Sequence, residues 1–163
     1  MTETRTLSAA WTAPRDLLAD RVVLVTGAGR GLGRAVALAC AAHGATVALL
    51  GRKPEALAET YDAIVAAGGK EPAAIPFDLA AAGDREFETL AGMLRRDLGR
   101  LDALVHCAVH FTPLVPLRDQ PLEQCLTHLR VNLAAPFALT RPNRRGFTYI
   151  SMSGERQFMK RMA

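Results

Sequence analysis

Residues 26 to 33 read Thr26-Gly27-Ala28-Gly29-Arg30-Gly31-Leu32-Gly33, and Val22 to Val25 run straight into them. Gly27, Gly31 and Gly33 leave the main chain bare, so an anion can approach backbone N–H groups and a helix can pack closely on a strand. The four apolar residues fit a strand covered on both faces, as in a parallel sheet. A helix opening near Gly31 would add unpaired N–H groups and the positive end of its dipole. Strand, turn and helix in that order form a cradle for a pyrophosphate, and hence for a dinucleotide.

The end of the second strand bears on which dinucleotide. Leu49-Leu50-Gly51-Arg52-Lys53 offers no carboxylate to accept hydrogen bonds from a ribose 2′-hydroxyl. Arg52, with Lys53 beside it and Arg30 in the first turn, can instead grip a 2′-phosphate through planar guanidinium forks. The expectation is NADP(H) in preference to NAD(H). The plainer alternative is that Arg52 and Lys53 begin a solvated helix.

The elements that must carry these residues alternate. Strands are expected at Val22 to Thr26, Thr46 to Leu50, Ala73 to Phe77 and Leu101 to Cys107. Helices are expected at Gly31 to His43, Pro54 to Ala67, Asp84 to Leu98 and Pro121 to Leu139, with Gly44 and Gly99 as stop signals. Pro136 should bend the last helix or start a separate turn. Such alternation predicts an α/β fold, a Rossmann-like doubly wound parallel sheet of about four or five strands.

The spacing Thr-Gly-x-x-x-Gly-x-Gly resembles the short-chain dehydrogenase/reductase family, and three further motifs follow in its order. Asp78-Leu79 comes after the third strand, Leu104-Val105-His106-Cys107-Ala108 resembles Leu-Val-Asn-Asn-Ala, and Val131-Asn132-Leu133 resembles the helix motif with a catalytic Asn. The resemblance covers about residues 17 to 140. It implies hydride transfer between a nicotinamide and a carbonyl/alcohol carbon of a small molecule. It also implies nucleotide contacts at Thr26, Gly27, Arg30, Gly31, Leu32, Gly33, Arg52, Asp78, Leu79, Cys107 and Ala108. Asp78 would accept from the adenine amino group while Leu79 packs on the ring; a turn or N-cap role is its alternative. Asn132 would hold a water in a proton relay.

The chain departs from the family in three places. Cys107 stands where the family has Asn, and Val109 stands where it has Gly, a costly change if that position needs a positive φ or close approach. His106 reads as a structural residue at a strand end. The family's acid/base Tyr has a Lys four residues later, but Tyr61 is followed there by Val65 and Tyr149 by Ser153. Residues 147–154 faintly resemble a fifth strand with Ser151 as the catalytic Ser; the rival reading makes everything after Thr140 unrelated sequence. Three functions follow: an NADP(H)-binding reductase with incomplete catalytic machinery, an active enzyme with an unorthodox acid such as His110 or Tyr149, or a non-enzymatic nucleotide-binding or partner protein.

Length and composition fit one soluble, cytoplasmic domain: 163 residues, 50% of them hydrophobic. The family resemblance implies about seven strands in roughly 250 residues, so this chain is short for it. Its organisation reads as an extension over 1–20, a Rossmann domain over 21–140 and a basic tail over 141–163. The net charge is +4, and its excess lies in the tail, where Arg141, Arg144, Arg145, Arg156, Lys160 and Arg161 face only Glu155. No aromatic platform or basic helical stripe accompanies them, so a nucleic-acid partner is not expected. Nor is a membrane partner, for no apolar run approaches the roughly 18 residues of a span. Cys40, Cys107 and Cys125 lack metal-ligand spacing; Cys40 and Cys125 read as small apolar residues on helices. The substrate and the oligomeric state are not legible. A sheet of so few strands should also leave an edge and apolar surface uncovered.

Overall fold

Valine and leucine side chains that fit an extended backbone make Val22–Thr26 the central strand β1, buried along its whole length. The computed structural model describes residues 12–113, 115–141 and 148–151. After β1 come α1 (Gly31–Ala42), β2 (Thr46–Gly51), α2 (Pro54–Ala66), β3 (Ala73–Pro76), α3 (Asp84–Leu98) and β4 (Ala103–His106). A 3₁₀ turn (Leu117–Asp119), α4 (Leu122–Leu129), a π-helical turn (Arg130–Ala134), α5 (Ala135–Thr140) and β5 (Thr148–Ser151) complete the order. The five strands are parallel in the order β3-β2-β1-β4-β5. This is the expected Rossmann-like, doubly wound sheet.

Alternation along the strands divides the core into two layers. Leu24, Ala48, Leu50 and Leu104 face Phe87, Leu90 and Leu94 of α3 and Ala135, Ala138 and Leu139 of α5. Val23, Val25, Val47, Leu49 and Val105 face Ala37 and Ala41 of α1 and Leu57 and Ile64 of α2. The chain winds from β1 out to β3, then returns to lay β4 on the other side of β1. That reversal opens a crevice beyond the carboxyl ends of β1 and β4, where open α/β sheets take ligands.

The opposite end of the β1–β4 pair is closed by Asp102. Its Oδ2 accepts from Val22 N–H at 2.9 Å, its own N–H donates to the Val22 carbonyl at 2.9 Å, and Arg21 and Arg100 flank the carboxylate. Burial pushes this carboxyl's pKa up, but the bonds from Arg100, Val22 and Arg21 outweigh that and hold it below the usual range. This anchor explains why β4 starts at Ala103, after Asp102, and not at Leu101; the strand ends at His106, one residue short of the expected Cys107.

The expected Pro121–Leu139 helix is in fact three pieces. Pro136 has no N–H for the Asn132 carbonyl, and the ladder widens by one residue so that Ala135 N–H donates to the Arg130 carbonyl. Pro136 then sits in the first turn of α5. Cys125 is exposed on α4, which corrects the apolar reading of it, whereas Cys40 is half-buried against the α1 side of the sheet. Residues 142–147 and 152–163, most of the expected basic tail, lie outside the described residues. Among the described residues no helix is long and apolar enough to cross a membrane.

Candidate functional site

The crevice is a cavity of about 1010 Å³. Gly27, Gly29, Arg30, Gly31, Leu32 and Gly33 form its middle, and Arg52, Lys53, Asp78 and Leu79 one end. Cys107, Ala108, Val109, His110, Asn132, Leu133 and Phe137 form the other. The sheet's reversal thus brings together nearly every residue singled out in the sequence.

The glycines divide the work. A Cβ on Gly33 would lie 2.2 Å from the Gly27 carbonyl oxygen, so only glycine lets α1 seat against the end of β1. Gly27, at φ 67°, would bring a Cβ within 2.9 Å of Ala108. Gly31 differs: a Cβ there meets nothing within 4 Å, and its backbone faces open space. No side chain caps α1, and Arg30 holds the N-cap position in extended conformation. The first N–H groups of α1 are therefore available to an anion. Sequence reasoning missed Thr60, a fully buried α2 residue whose hydroxyl donates to the Ala28 carbonyl at 3.1 Å and steadies the turn from behind.

Thr26 lies behind the cavity wall, 1% exposed. Its Oγ1 accepts from the N–H groups of Cys107 and Ala108 at 3.1 and 3.0 Å. Thr26, expected to touch the nucleotide, does not line the cavity, and its hydroxyl closes β1 against the end of β4. Asp78 keeps both of its readings: it lines the cavity, and its Oδ1 accepts from Ala80 N–H at 2.9 Å in a turn. Val109 is 70% exposed and has no positive φ, so the feared strain at this position is not found. Burial pushes the Cys107 thiol's pKa up, which keeps it protonated.

His106 is 6% exposed at the floor of the cavity, and burial lowers its pKa to about 4. It is a neutral imidazole near pH 7, in line with a structural residue. Ser151 stands in register with His106 through the β4–β5 pairing, which brings its backbone to the same edge of the sheet; its side chain lies outside the described residues. Tyr61 is away from the cavity on α2, its hydroxyl donating to Glu71 at 2.6 Å.

Asn132, in the π-helical turn, clamps the loop after β4. Its Oδ1 accepts from His110 N–H at 2.8 Å and its Nδ2 donates to the His110 carbonyl at 2.9 Å. One turn earlier on the same helical stretch, the His128 ring lies tilted at 56° against the His110 ring with centroids 5.0 Å apart, and its Nε2 lies 3.1 Å from Thr112 Oγ1. The sequence reading named His110 and Asn132 but missed His128 beside them. Its signal was the spacing of His128 and Asn132, four apart and so on one helix face. Among the described residues no group of three or more His, Cys, Asp or Glu could hold a metal.

Comparison with known proteins converges on one family. The family model for short chain dehydrogenases matches residues 21–147. The chain is 36% identical over 126 residues to the uncharacterized oxidoreductase YciK of Escherichia coli K12, covering 77% of this chain and 50% of that protein. A short chain dehydrogenase structure from Pseudomonas syringae matches with TM-score 0.78 and 43% identity, over 82% of this chain and 54% of the other. A short chain dehydrogenase from Escherichia coli CFT073, crystallised with NADPH, matches with TM-score 0.80 and 31% identity over 85% and 60%. The chain spans about half the length of the curated relatives it matches. With sheet order, glycine turn and crevice agreeing, it belongs to the short chain dehydrogenase family.

Proposed function

We propose that this chain binds NADP(H) in the crevice and supplies the nucleotide-binding part of a carbonyl/alcohol oxidoreductase. The reading is carried by one observation: a single cavity joins a bare helix N-terminus at Gly31 to three cations, Arg30, Arg52 and Lys53, with no acid at the end of β2. The N–H groups at α1 would hold the pyrophosphate and Arg52 the 2′-phosphate, while Asp78 and Leu79 receive the adenine. The neighbour crystallised with NADPH supports that choice of nucleotide. Bound NADPH would supply a hydride to a carbonyl carbon at the Asn132 and His110 end. The functional unit in this reading is the Rossmann domain of residues 21–140, with 1–20 an extension and 141–163 a basic tail, in a cytoplasmic setting.

Neither tyrosine of the sequence has a lysine four residues on. That feature favours a second reading, nucleotide binding without turnover.

Titration of the full chain with NADPH and NADH, followed by nicotinamide fluorescence, tests the proposal. Saturable binding is expected, tighter for NADPH, with Arg52→Ala weakening NADPH about 10-fold and leaving NADH within about 2-fold. Equal affinity for the two nucleotides would remove the 2′-phosphate assignment, and no binding would remove the whole reading. Oxidation of bound NADPH by any member of a ketone and aldehyde panel would exclude the second reading.

A further inference from the structure

We propose that the Asn132 end of the cavity selects an uncharged carbonyl compound with an apolar body, an alkyl or aryl ketone or aldehyde. Substrates that carry a carboxylate or a phosphate are disfavoured there. The inference rests on the NADP(H) reading and deepens it by naming the substrate class.

Charge and exposed apolar surface are separated along the cavity. Among the described lining residues the charged ones are Arg30 in its middle and Arg52, Lys53 and Asp78 at one end; the Asn132 end holds none. Large apolar side chains show the reverse. Leu50, Leu57 and Leu79, beside Arg52 and Asp78, are buried in the core of the sheet. Val109, Leu133 and Phe137, at the Asn132 end, are 70%, 65% and 66% exposed. Val109 follows β4, whereas Leu133 and Phe137 lie four apart on one helix face, so two separate elements bring them to a single wall. Leu32 is the remaining exposed large apolar residue of the lining, and it sits in the middle among the glycines.

Polar groups on this wall are already engaged. Asn132 has its amide oxygen and nitrogen on the His110 backbone, and the Thr140 hydroxyl donates to the Pro136 carbonyl at 2.7 Å. An anionic substituent laid against this wall would lose water and meet no opposite charge, a cost that grows with its burial. An alkyl chain or aromatic ring gains there instead, because covering it removes its own apolar surface and that of Val109, Leu133 and Phe137 from water. Exposed apolar residues gathered in the wall of a ligand cavity, rather than scattered singly, mark where the apolar part of a ligand lies. The cavity already ties this wall to the nucleotide end, which makes the substrate its occupant.

Ligand-observed NMR of the full chain saturated with NADP⁺, which cannot reduce a ketone, tests this without turnover. The probes are methyl ketones with ethyl, butyl and hexyl chains, and the keto acid in which the hexyl chain's terminal methyl is a carboxylate. Affinity should rise about 2- to 4-fold for each CH₂ added. The keto acid should bind at least about 10-fold more weakly than hexyl methyl ketone. Leu133→Gln and Phe137→Ser, both at exposed positions, should each weaken hexyl methyl ketone about 5-fold and leave NADP⁺ affinity within about 2-fold. Leu122→Gln, at an exposed apolar residue of α4 outside the cavity, should leave ketone binding unchanged. A flat response to chain length, equal affinity for the keto acid, or an equal loss in Leu122→Gln would overturn the proposal and leave the nucleotide assignment standing. So would self-association of the chain that displaces the ketone, since the wall would then belong to a second copy. Failure to bind NADP⁺ or NADPH would overturn both readings.

Discussion

The two ends of the cavity are built on different principles. At the end proposed above for the phosphates, the phosphate end, the main chain itself is the machinery: Gly33 and Gly27 are positions where a Cβ has no room, and Gly31 is one where the backbone is left open. At the other end, proposed above as the substrate end, side chains do the positioning, through Asn132 on the His110 backbone and His128 against its ring. The phosphate end is braced from behind by Thr60 and Thr26, both buried. The substrate end borders Val109, Phe111, Leu129, Leu133 and Phe137, all more than a third exposed. A backbone-built site has no room for a side chain where elements close on each other, as at Gly33 and Gly27; a side-chain-built site can change its chemistry residue by residue. One fold can in this way keep its nucleotide and vary its substrate.

Substitutions should separate the two ends. Gly33→Ala puts a Cβ 2.2 Å from a backbone oxygen. It should cost more than about 3 kcal/mol in urea unfolding and abolish nucleotide binding. Next is a pH effect between the ends. The folded-state pKa of His106, about 4, lies below the unfolded value of 6.5, so the unfolded chain holds the extra proton in that window. Stability from this group is complete above about pH 6.5 and is lost as pH falls toward 4, by about 3 kcal/mol. Unfolding curves of wild type and His106→Gln should therefore run parallel above pH 6.5 and converge below it.

Thr26→Val, close in shape, leaves the N–H groups of Cys107 and Ala108 without their acceptor. A loss of about 2 kcal/mol and weaker NADPH binding are expected. The smallest effect belongs to the substrate end: Asn132→Ala should cost about 1 kcal/mol and leave NADPH affinity within about 3-fold. If Asn132→Ala instead weakened NADPH as much as Thr26→Val, the two ends would be one unit and the contrast would fail.

What could be read from the sequence follows the same division. The strand–glycine–helix unit is local, so β1 and α3 fall where periodicity and end signals place them, and α1, β2, α2 and β3 within a residue at their ends. Arg52, Asp78 and Leu79 could be placed because each follows a strand that ends at the crevice. Thr26 was assigned to the site, but the bond its hydroxyl makes, to Cys107 just past β4 and 81 residues away, could not be read. The three-piece helix was only half legible: Pro136 announces a break, while the π-helical turn depends on how the ladder repairs the missing N–H. The His110–His128 pair and the exposure of Cys125 required knowing which way α4 faces. Ser151 could be brought to the right sheet edge and no further.

The Asp102 clamp has a consequence for how the molecule assembles. It ties Val22 to a residue 80 positions later, whereas β1, β2 and β3 pair through short crossovers. Closing so long a loop is slow relative to the neighbouring pairings. The three-strand unit therefore forms first, and β4 docks onto its free side late. The wall of the crevice at Cys107, Ala108 and Val109 is missing until that docking is complete, so the intermediate offers a one-sided site that should hold the nucleotide far more weakly. A ligand at this site should then slow unfolding and leave the folding rate nearly unchanged.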